Sequence, residues 1–303
     1  MPTSRSGAET GALALRRAPA QAARRRWIVA GCLVLGLAVT GCSSSKTVQA
    51  LNPDPPEKIY AQADSLLTRG KHEEAAKKFE DVDREHPYAP QARRAIVMSA
   101  YAYFKAGKYP EAVAAARRYT TMHPGTKEAA LAQYIIASAY FDEIRDPHRD
   151  QTATRRALVE LRTLRDRYAT SEYAKKADNR IRYAEDVLAA SEMTVGRFYL
   201  KKGNYLAAIN RFKVVISEYQ KTQHVEEALM RLTECYLALG IRPEAQNAAA
   251  VLGHNFPNSR WYKDAYALLQ SDGLAPREDS GSWLSRAWRS TVRSVPGLGF
   301  GAQ

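Results

Sequence analysis

Four glycines, Gly70, Gly107, Gly203 and Gly240, each have an alanine five residues on, at Ala75, Ala112, Ala208 and Ala245. The first two and the last two are both 37 residues apart. A helix-turn-helix unit of this length cannot bury its apolar face alone, so its copies must stack. Around the glycines the register continues. Four residues before them stand Leu66, Tyr103, Tyr199 and Tyr236, and seven before stand the small residues Ala63, Ala100, Gly196 and Thr233. Seventeen after come Pro87, Pro124, Gln220 and Pro257. Small residues let the two helices of a hairpin approach, aromatics wedge between them, glycine takes the left-handed turn, and proline ends the second helix. Gln220 interrupts the last column and predicts a looser turn there.

This register resembles the tetratricopeptide repeat, with its usual period of about 34 residues lengthened in the turn between repeats. The next glycine in phase would fall at position 144, where Ile144 stands. Yet Tyr134, Ala137, Tyr140 and Phe141 keep the first-helix pattern, and Ala157, Leu158, Leu161 and Leu164 supply a second helix. Gly107 and Gly203 are separated by two periods, an eight-residue insertion within Arg145–Thr154, and a fourteen-residue extension of one long helix over Tyr173–Leu200. The fold class is therefore all-α: a solenoid of five repeats over residues 57–270, with an amino-terminal half at 57–170 and a carboxyl-terminal half at 171–270.

Residues 1–41 read as a targeting segment. Arg16, Arg17 and Arg24 to Arg26 precede an apolar run from Trp27 to Val39, shorter than the 18 or so residues that span a bilayer. The run ends in Val39-Thr40-Gly41-Cys42, which resembles the lipobox of bacterial lipoproteins. Cys42 would then carry a diacylglycerol and an N-acyl chain, and two or more acyl chains anchor stably. A non-lipidated signal peptide with an incidental cysteine is the alternative. Ser43 in place of aspartate fits export to the inner leaflet of the outer membrane. Residues 42–56 are polar and proline-bearing, a lipidated tether. Cys235 would be the one free thiol left in the mature chain, which excludes an intramolecular disulfide there.

A chain starting at Cys42 keeps 39 basic and 31 acidic residues, a net charge of +8. In the periplasm that balance favours acidic partner surfaces or anionic lipid over nucleic acid. The six histidines are scattered without metal-ligand spacing, no H-E-x-x-H occurs, and the serines lack a nucleophile elbow. No metal, no catalytic residue and no cofactor beyond the acyl chains is expected. Gly297 to Gly301 carries no strand and helix context for a phosphate loop.

Two polar clusters stand out, the insertion with Asp146, Arg149, Asp150 and Gln151, and the stretch Glu192–Arg211. Residues 271–303 form a breaker-rich linker and a basic amphipathic tail, with Trp283, Leu284, Ala287 and Trp288 on one face and Arg286, Arg289 and Arg293 on the other. That pattern suits a membrane surface or an acidic partner groove; a frayed tail is the other reading.

Lipobox, five repeats, the opening Arg145-Asp146-Pro147 with Arg149-Asp150-Gln151, and Ser191-Glu192…Phe198-Tyr199…Gly203-Asn204-Tyr205…Asn210-Arg211 together resemble the BamD family, lipoproteins of the outer-membrane β-barrel assembly machine. The resemblance covers about residues 42–270. It implies a non-enzymatic scaffold, lipid-anchored on the periplasmic face of the outer membrane. The carboxyl-terminal repeats would dock a BamA-like barrel protein, and the amino-terminal repeats would receive the termini of unfolded outer-membrane proteins, with accessory lipoproteins as further partners. Arg211 matches the arginine of the family's Asn-Arg pair and would bind a partner carboxylate; Asn210, Glu192 and Tyr199 would shape that surface, although the register also places Tyr199 as a core wedge. Arg149 and Gln151 join the partner-binding set from the insertion. Tyr60, Arg69, Arg94 and Tyr101 are candidates for the peptide groove on the first helices. A pilotin-type lipoprotein assisting secretin assembly, or a peptidoglycan enzyme or its regulator, are the competing readings.

Overall fold

The structure, a computed structural model, describes residues 54–292, with side chains to residue 289. Among these residues there are twelve α-helices and no strand. Helices α1 (Pro56–Thr68) and α2 (His72–Glu85) form the first hairpin, α3 (Pro90–Lys105) and α4 (Tyr109–Met122) the second, α5 (Lys127–Asp142) and α6 (Thr152–Arg167) the third. The long α7 (Ala177–Lys201) pairs with α8 (Tyr205–Glu218), and α9 (Val225–Ala238) with α10 (Arg242–Asn255). Helix α11 (Arg260–Ser271) follows, then α12 (Trp283–Val292). Each helix packs on the next through α11, and first helices also touch one another, α1 with α3, α3 with α5, α9 with α11. Five repeats are thus present, and no described helix is long and apolar enough to cross a membrane.

The glycine register has the physical cause expected of it. Gly70, Gly107, Gly203 and Gly240 have φ of 75, 71, 72 and 74°. At each, the glycine N–H bonds the carbonyl three residues back and the next N–H the carbonyl five back, as in Gly203 to Leu200 at 2.9 Å and Asn204 to Tyr199 at 2.9 Å. This closes the last open carbonyls of the first helix, and only glycine takes that backbone without strain. Where Ile144 replaces glycine, the N–H of Ile144 bonds Phe141 and the chain runs on into the insertion instead of reversing at once. The glycine seven residues before Gly203 acts differently. A Cβ on Gly196 would lie 2.4 Å from the ring of Phe212, so its absence is what lets α7 and α8 close.

The apolar interior falls into three clusters. One joins α1 to α5, with Phe79, Tyr119, Ile135 and Ile136 fully buried. A second sets Leu158, Leu161 and Leu164 of α6 against Ala177, Ile181, Ala184 and Leu188 of α7. The third begins at Ala189 and Met193 of the same helix and runs to Trp288. The expected division at residue 170 does not fall between clusters: α6 of the first half and the start of α7 share one, and the change to the third comes inside α7, between Leu188 and Ala189. A 25-residue helix thus serves two of the three clusters, so the repeats on either side share it rather than meet at a loop. That helix starts after a short 3-10 turn, Ala174–Lys176, slightly later than its periodicity suggests.

The domain does not close at residue 270. Gly273 repeats the same turn, with φ of 73°, but no hairpin follows. Residues 275–279 run back along α10, where Gln246 Nε2 donates to the Ala275 carbonyl at 2.8 Å and the Asp279 N–H donates to Asn247 Oδ1 at 2.9 Å. Helix α12 then packs on α8 and α10. Leu284 is fully buried and Trp288 is 6% exposed, edge-on to Phe256. Trp283 Nε1 donates to the Tyr236 hydroxyl at 3.1 Å beneath the Lys213 ammonium. Over residues 283–289 the readings of an apolar face laid on a membrane or in a partner groove, and of a frayed end, are thus corrected, because Leu284 and Trp288 are buried within the fold. Gln220 is corrected with it: rather than loosening a turn, its Nε2 donates to the Ala287 carbonyl at 3.4 Å and ties α12 down.

Cys235 is buried in α9, and burial pushes its thiol up to about 12. A thiolate is the reactive form, so iodoacetamide at pH 8 is expected to leave Cys235 unlabelled in the folded chain and to label it after denaturation, read by peptide mass. Labelling of the folded chain at the denatured rate would contradict this packing. Cys42, the signal segment, Arg293 and the glycine-rich end lie outside the described residues.

Candidate functional site

The stretch singled out between Glu192 and Arg211 folds into one surface, and its geometry follows from the Gly196–Phe212 contact. Phe212, fully buried, fixes the rotation of α8 about its axis. The preceding residue then emerges on the rim facing α7, one turn from Gly196, where Glu192 stands. Arg211 Nη1 donates to Glu192 Oε2 at 3.1 Å, and the arginine side chain stays 44% exposed. An exposed pair of this kind contributes about 0–1 kcal/mol to stability. Its consequence is orientation: one edge of the guanidinium is held and the other faces solvent, ready for a bidentate carboxylate. Asn210 is exposed beside it.

Tyr199 is half-buried against the third cluster, and its ring meets Phe198 edge-on at 5.6 Å. It is thus the wedge the register demands, and Phe198, 57% exposed, is the aromatic that this surface presents; Leu206 is exposed at the start of α8. A second pair, Arg197 with Glu227 at 3.0 Å, continues the surface to α9. Phe198 was missed from the sequence because it lies outside every repeat column, although it adjoins Tyr199 directly.

The insertion separates its two candidates. Arg149 is exposed and lines a groove of about 630 Å³ with Tyr140, Arg145 and Arg156. Gln151 is 3% exposed and turned inward. Its amide donates to the carbonyls of Asp146 and Arg149 at 3.0 and 2.9 Å and accepts from Thr154 Oγ1 at 2.7 Å. As a surface contact Gln151 is therefore corrected to an internal brace of the loop, because each of its polar atoms is already bonded.

On the first helices, the structure brings Tyr60 and Arg94 together. Burial raises the Tyr60 phenol and the Arg94 charge partly offsets this, while its ring packs edge-on to Phe79 at 5.1 Å. Arg69 caps the end of α1, exposed. Tyr101 is half-buried under Lys105, whose ammonium is 5.7 Å from its ring, and lies towards Tyr173 of a later repeat. The four do not form one cluster. What sequence reasoning missed on this side is Arg180, which spans the rings of Tyr134 and Phe141 at 5.3 and 4.8 Å and donates to Ser138 Oγ at 2.6 Å. The spacing of Tyr134, Ser138 and Phe141 on one face of α5 was the available signal.

The profile of the family described as outer membrane lipoprotein, YfiO, matches residues 52–252, which span the first four hairpins and the fifth to within the last turn of α10. The chain belongs to this family of outer membrane lipoproteins. It is 43% identical over 251 residues to the outer membrane protein assembly factor BamD of Caulobacter vibrioides, covering 82% of each chain. It is 37% identical over 244 residues to BamD of Rickettsia prowazekii, covering 80% of this chain and 97% of that protein. With BamD of Neisseria meningitidis serogroup A it shares 33% over 246 residues, 77% of this chain and 92% of the other. The family match therefore contains the Arg211 surface and the insertion, whereas α11 and α12 lie beyond it. Among the described residues no group of His, Cys, Asp or Glu is arranged to hold a metal ion.

Proposed function

We propose that this chain is a scaffold of outer-membrane β-barrel assembly, anchored through acyl chains on Cys42 to the periplasmic face of the outer membrane. Membership of the outer membrane lipoprotein family and the assembly-factor names of its relatives support this role. The surface around Arg211, with Asn210, Glu192 and Phe198, docks the periplasmic part of a BamA-like barrel protein. The observation that carries the assignment is a guanidinium braced on one edge by Glu192 and open on the other. The first-helix side near Tyr60 and Arg94 takes the terminal segment of an unfolded barrel protein, for which an aromatic beside a cation is suited.

Arg211→Glu tests the docking. Reversing a charge that meets a carboxylate at an interface costs about 2–5 kcal/mol of binding, so recovery of a large barrel protein with the tagged chain from detergent-solubilised envelope should fall to background. The variant should fold as before, because only an exposed pair is lost. Undiminished recovery would remove Arg211 from the interface, and recovery of a secretin in place of a barrel-assembly protein would overturn the role itself.

A further inference from the structure

From the groove beside the insertion we infer a second recognition site, one that binds acidic peptide segments through a set of arginines left open for them. The starting observation is an imbalance. Several arginines along the stack are ion-paired, Arg117 with Glu160, Arg118 with Asp83, Arg162 with Glu185, Arg197 with Glu227 and Arg211 with Glu192; single arginines such as Arg155 and Arg242 stand without such a pair, and what sets the groove apart is that three gather in it. Arg145, Arg149 and Arg156 line one groove of about 630 Å³, and among the described residues none of them makes an ion pair. Two carboxylates share that lining, Glu143 and Asp150. Asp150 is committed to its own helix start, accepting from the Thr152 N–H and Thr152 Oγ1 at 3.0 Å each, and these bonds hold its carboxyl below the usual range. Three guanidiniums therefore share the groove with two carboxylates, a net positive lining in which Asp150 is held by its own helix start.

The loop that carries two of these arginines is built rather than slack. The Arg149 N–H donates to the Asp146 carbonyl at 2.9 Å, the His148 N–H donates to Asp146 Oδ1 at 2.8 Å, and buried Gln151 holds the carbonyls of Asp146 and Arg149 from within. Arg156 is steered by Tyr140, its guanidinium 5.7 Å from the ring centroid. A site whose donors are already in place loses less freedom on binding. The volume falls in the range of small-ligand and peptide clefts.

The chemistry selects the ligand class. Arginine forks match carboxylates in pairs, and a groove with three of them fits a segment bearing at least two acidic side chains. A membrane-surface site would present protruding apolar anchors among its cations. The loop Arg145-Asp-Pro-His-Arg-Asp-Gln151 has no Leu, Ile, Val, Phe, Tyr or Trp side chain to insert. This site is on the third repeat and does not depend on Arg211 or on what docks there.

A fluorophore-labelled hexaglutamate peptide, titrated against the full lipidated chain in detergent, tests it. Arg145→Glu/Arg149→Glu/Arg156→Glu should weaken binding by about tenfold or more, whereas the matched reversal Lys175→Glu/Lys201→Glu/Lys202→Glu should change it by about twofold at most. Gln151→Ala removes no charge and should weaken binding about threefold by loosening the loop, with the helical circular dichroism unchanged. Arg211→Glu should leave peptide affinity alone, which separates this inference from the docking proposal. Equal losses in the two triple variants, or no loss in the first, would overturn it. So would unchanged binding by Gln151→Ala, since bare charge attraction would then suffice. Loss of retention on phosphatidylglycerol vesicles without loss of peptide binding would assign the arginines to a membrane instead.

Discussion

Phe212→Ala is expected to destabilise the carboxyl-terminal repeats by about 3–5 kcal/mol. The ring is fully buried and sits directly on Gly196, so no side chain from α7 can move in to fill the space it leaves. The same contact makes an unusual prediction for the glycine. Alanine is the better helix former by about 1 kcal/mol, yet Gly196→Ala should destabilise by about 1–3 kcal/mol, because the added methyl overlaps a ring with nowhere to go. Combining Gly196→Ala with Phe212→Leu should then cost less than the sum of the two single changes. Urea unfolding of the four proteins gives the coupling energy directly, and strict additivity would disprove the contact. The effect should also reach function. Phe212 sets the rotation of α8 that points Arg211 at Glu192, so Phe212→Ala should weaken recovery of the barrel-assembly partner even where the chain stays folded.

Truncation after Gly281 is the second large effect. It removes the buried Leu284 and Trp288, opens the groove between α8 and α10, and takes from Asn247 Oδ1 the Ser285 hydroxyl that donates to it at 3.1 Å. Losing one buried tryptophan costs about 3–5 kcal/mol, and each kcal/mol moves the melting temperature of a domain of this size by roughly 2–4 °C. Retention of the non-lipidated chain on anionic liposomes should not change. A salt-sensitive loss of retention with an unchanged melt would restore the membrane role and sink the docked one.

Tyr236 supplies an alkaline signature of the same contact. Burial, the largest influence, raises its phenol to about 12, with the Trp283 hydrogen bond acting the other way. The neutral form is thus favoured in the folded state, and this stabilisation is fully present below pH 10 and lost as pH rises from 10 towards 12. Truncation exposes the phenol to water, so the truncated chain should lose less stability across that window than the intact one.

The parts of this protein legible in its sequence are those with local causes. A left-handed turn that closes a helix excludes nearly every residue but glycine, so Gly70, Gly107, Gly203 and Gly240 announce the hairpins wherever they stand. The interrupted register showed a third repeat and a long helix for the same reason: periodicity persists through Tyr134, Phe141, Ile181 and Leu188 whether or not a turn glycine is present. Surface chemistry was legible less evenly. Arg211 and Glu192 lie 19 residues apart on different helices and meet only because Gly196 admits Phe212. Gln151 and Arg149 look alike in the sequence, two polar residues of one loop, and the fold turns one inward and leaves the other in the groove.

Helix α12 marks the boundary most sharply. Its sequence establishes an amphipathic helix with tryptophans on one face and arginines on the other, since side-chain spacing along a helix is fixed by 3.6 residues per turn. What covers the apolar face is not a property of the helix. A bilayer, a partner and the groove of α8 and α10 all satisfy the same stripe, and only the position of Tyr236, Asn247 and Phe256 in space selects the last. From the sequence come a stack of glycine-closed helical hairpins and, before it, a segment that resembles a lipobox, because turns, periodicity and short motifs are local. The tertiary structure alone decided where α12 goes, which half each side of α7 serves, and which arginines are left open, because each depends on contacts between residues far apart in the chain.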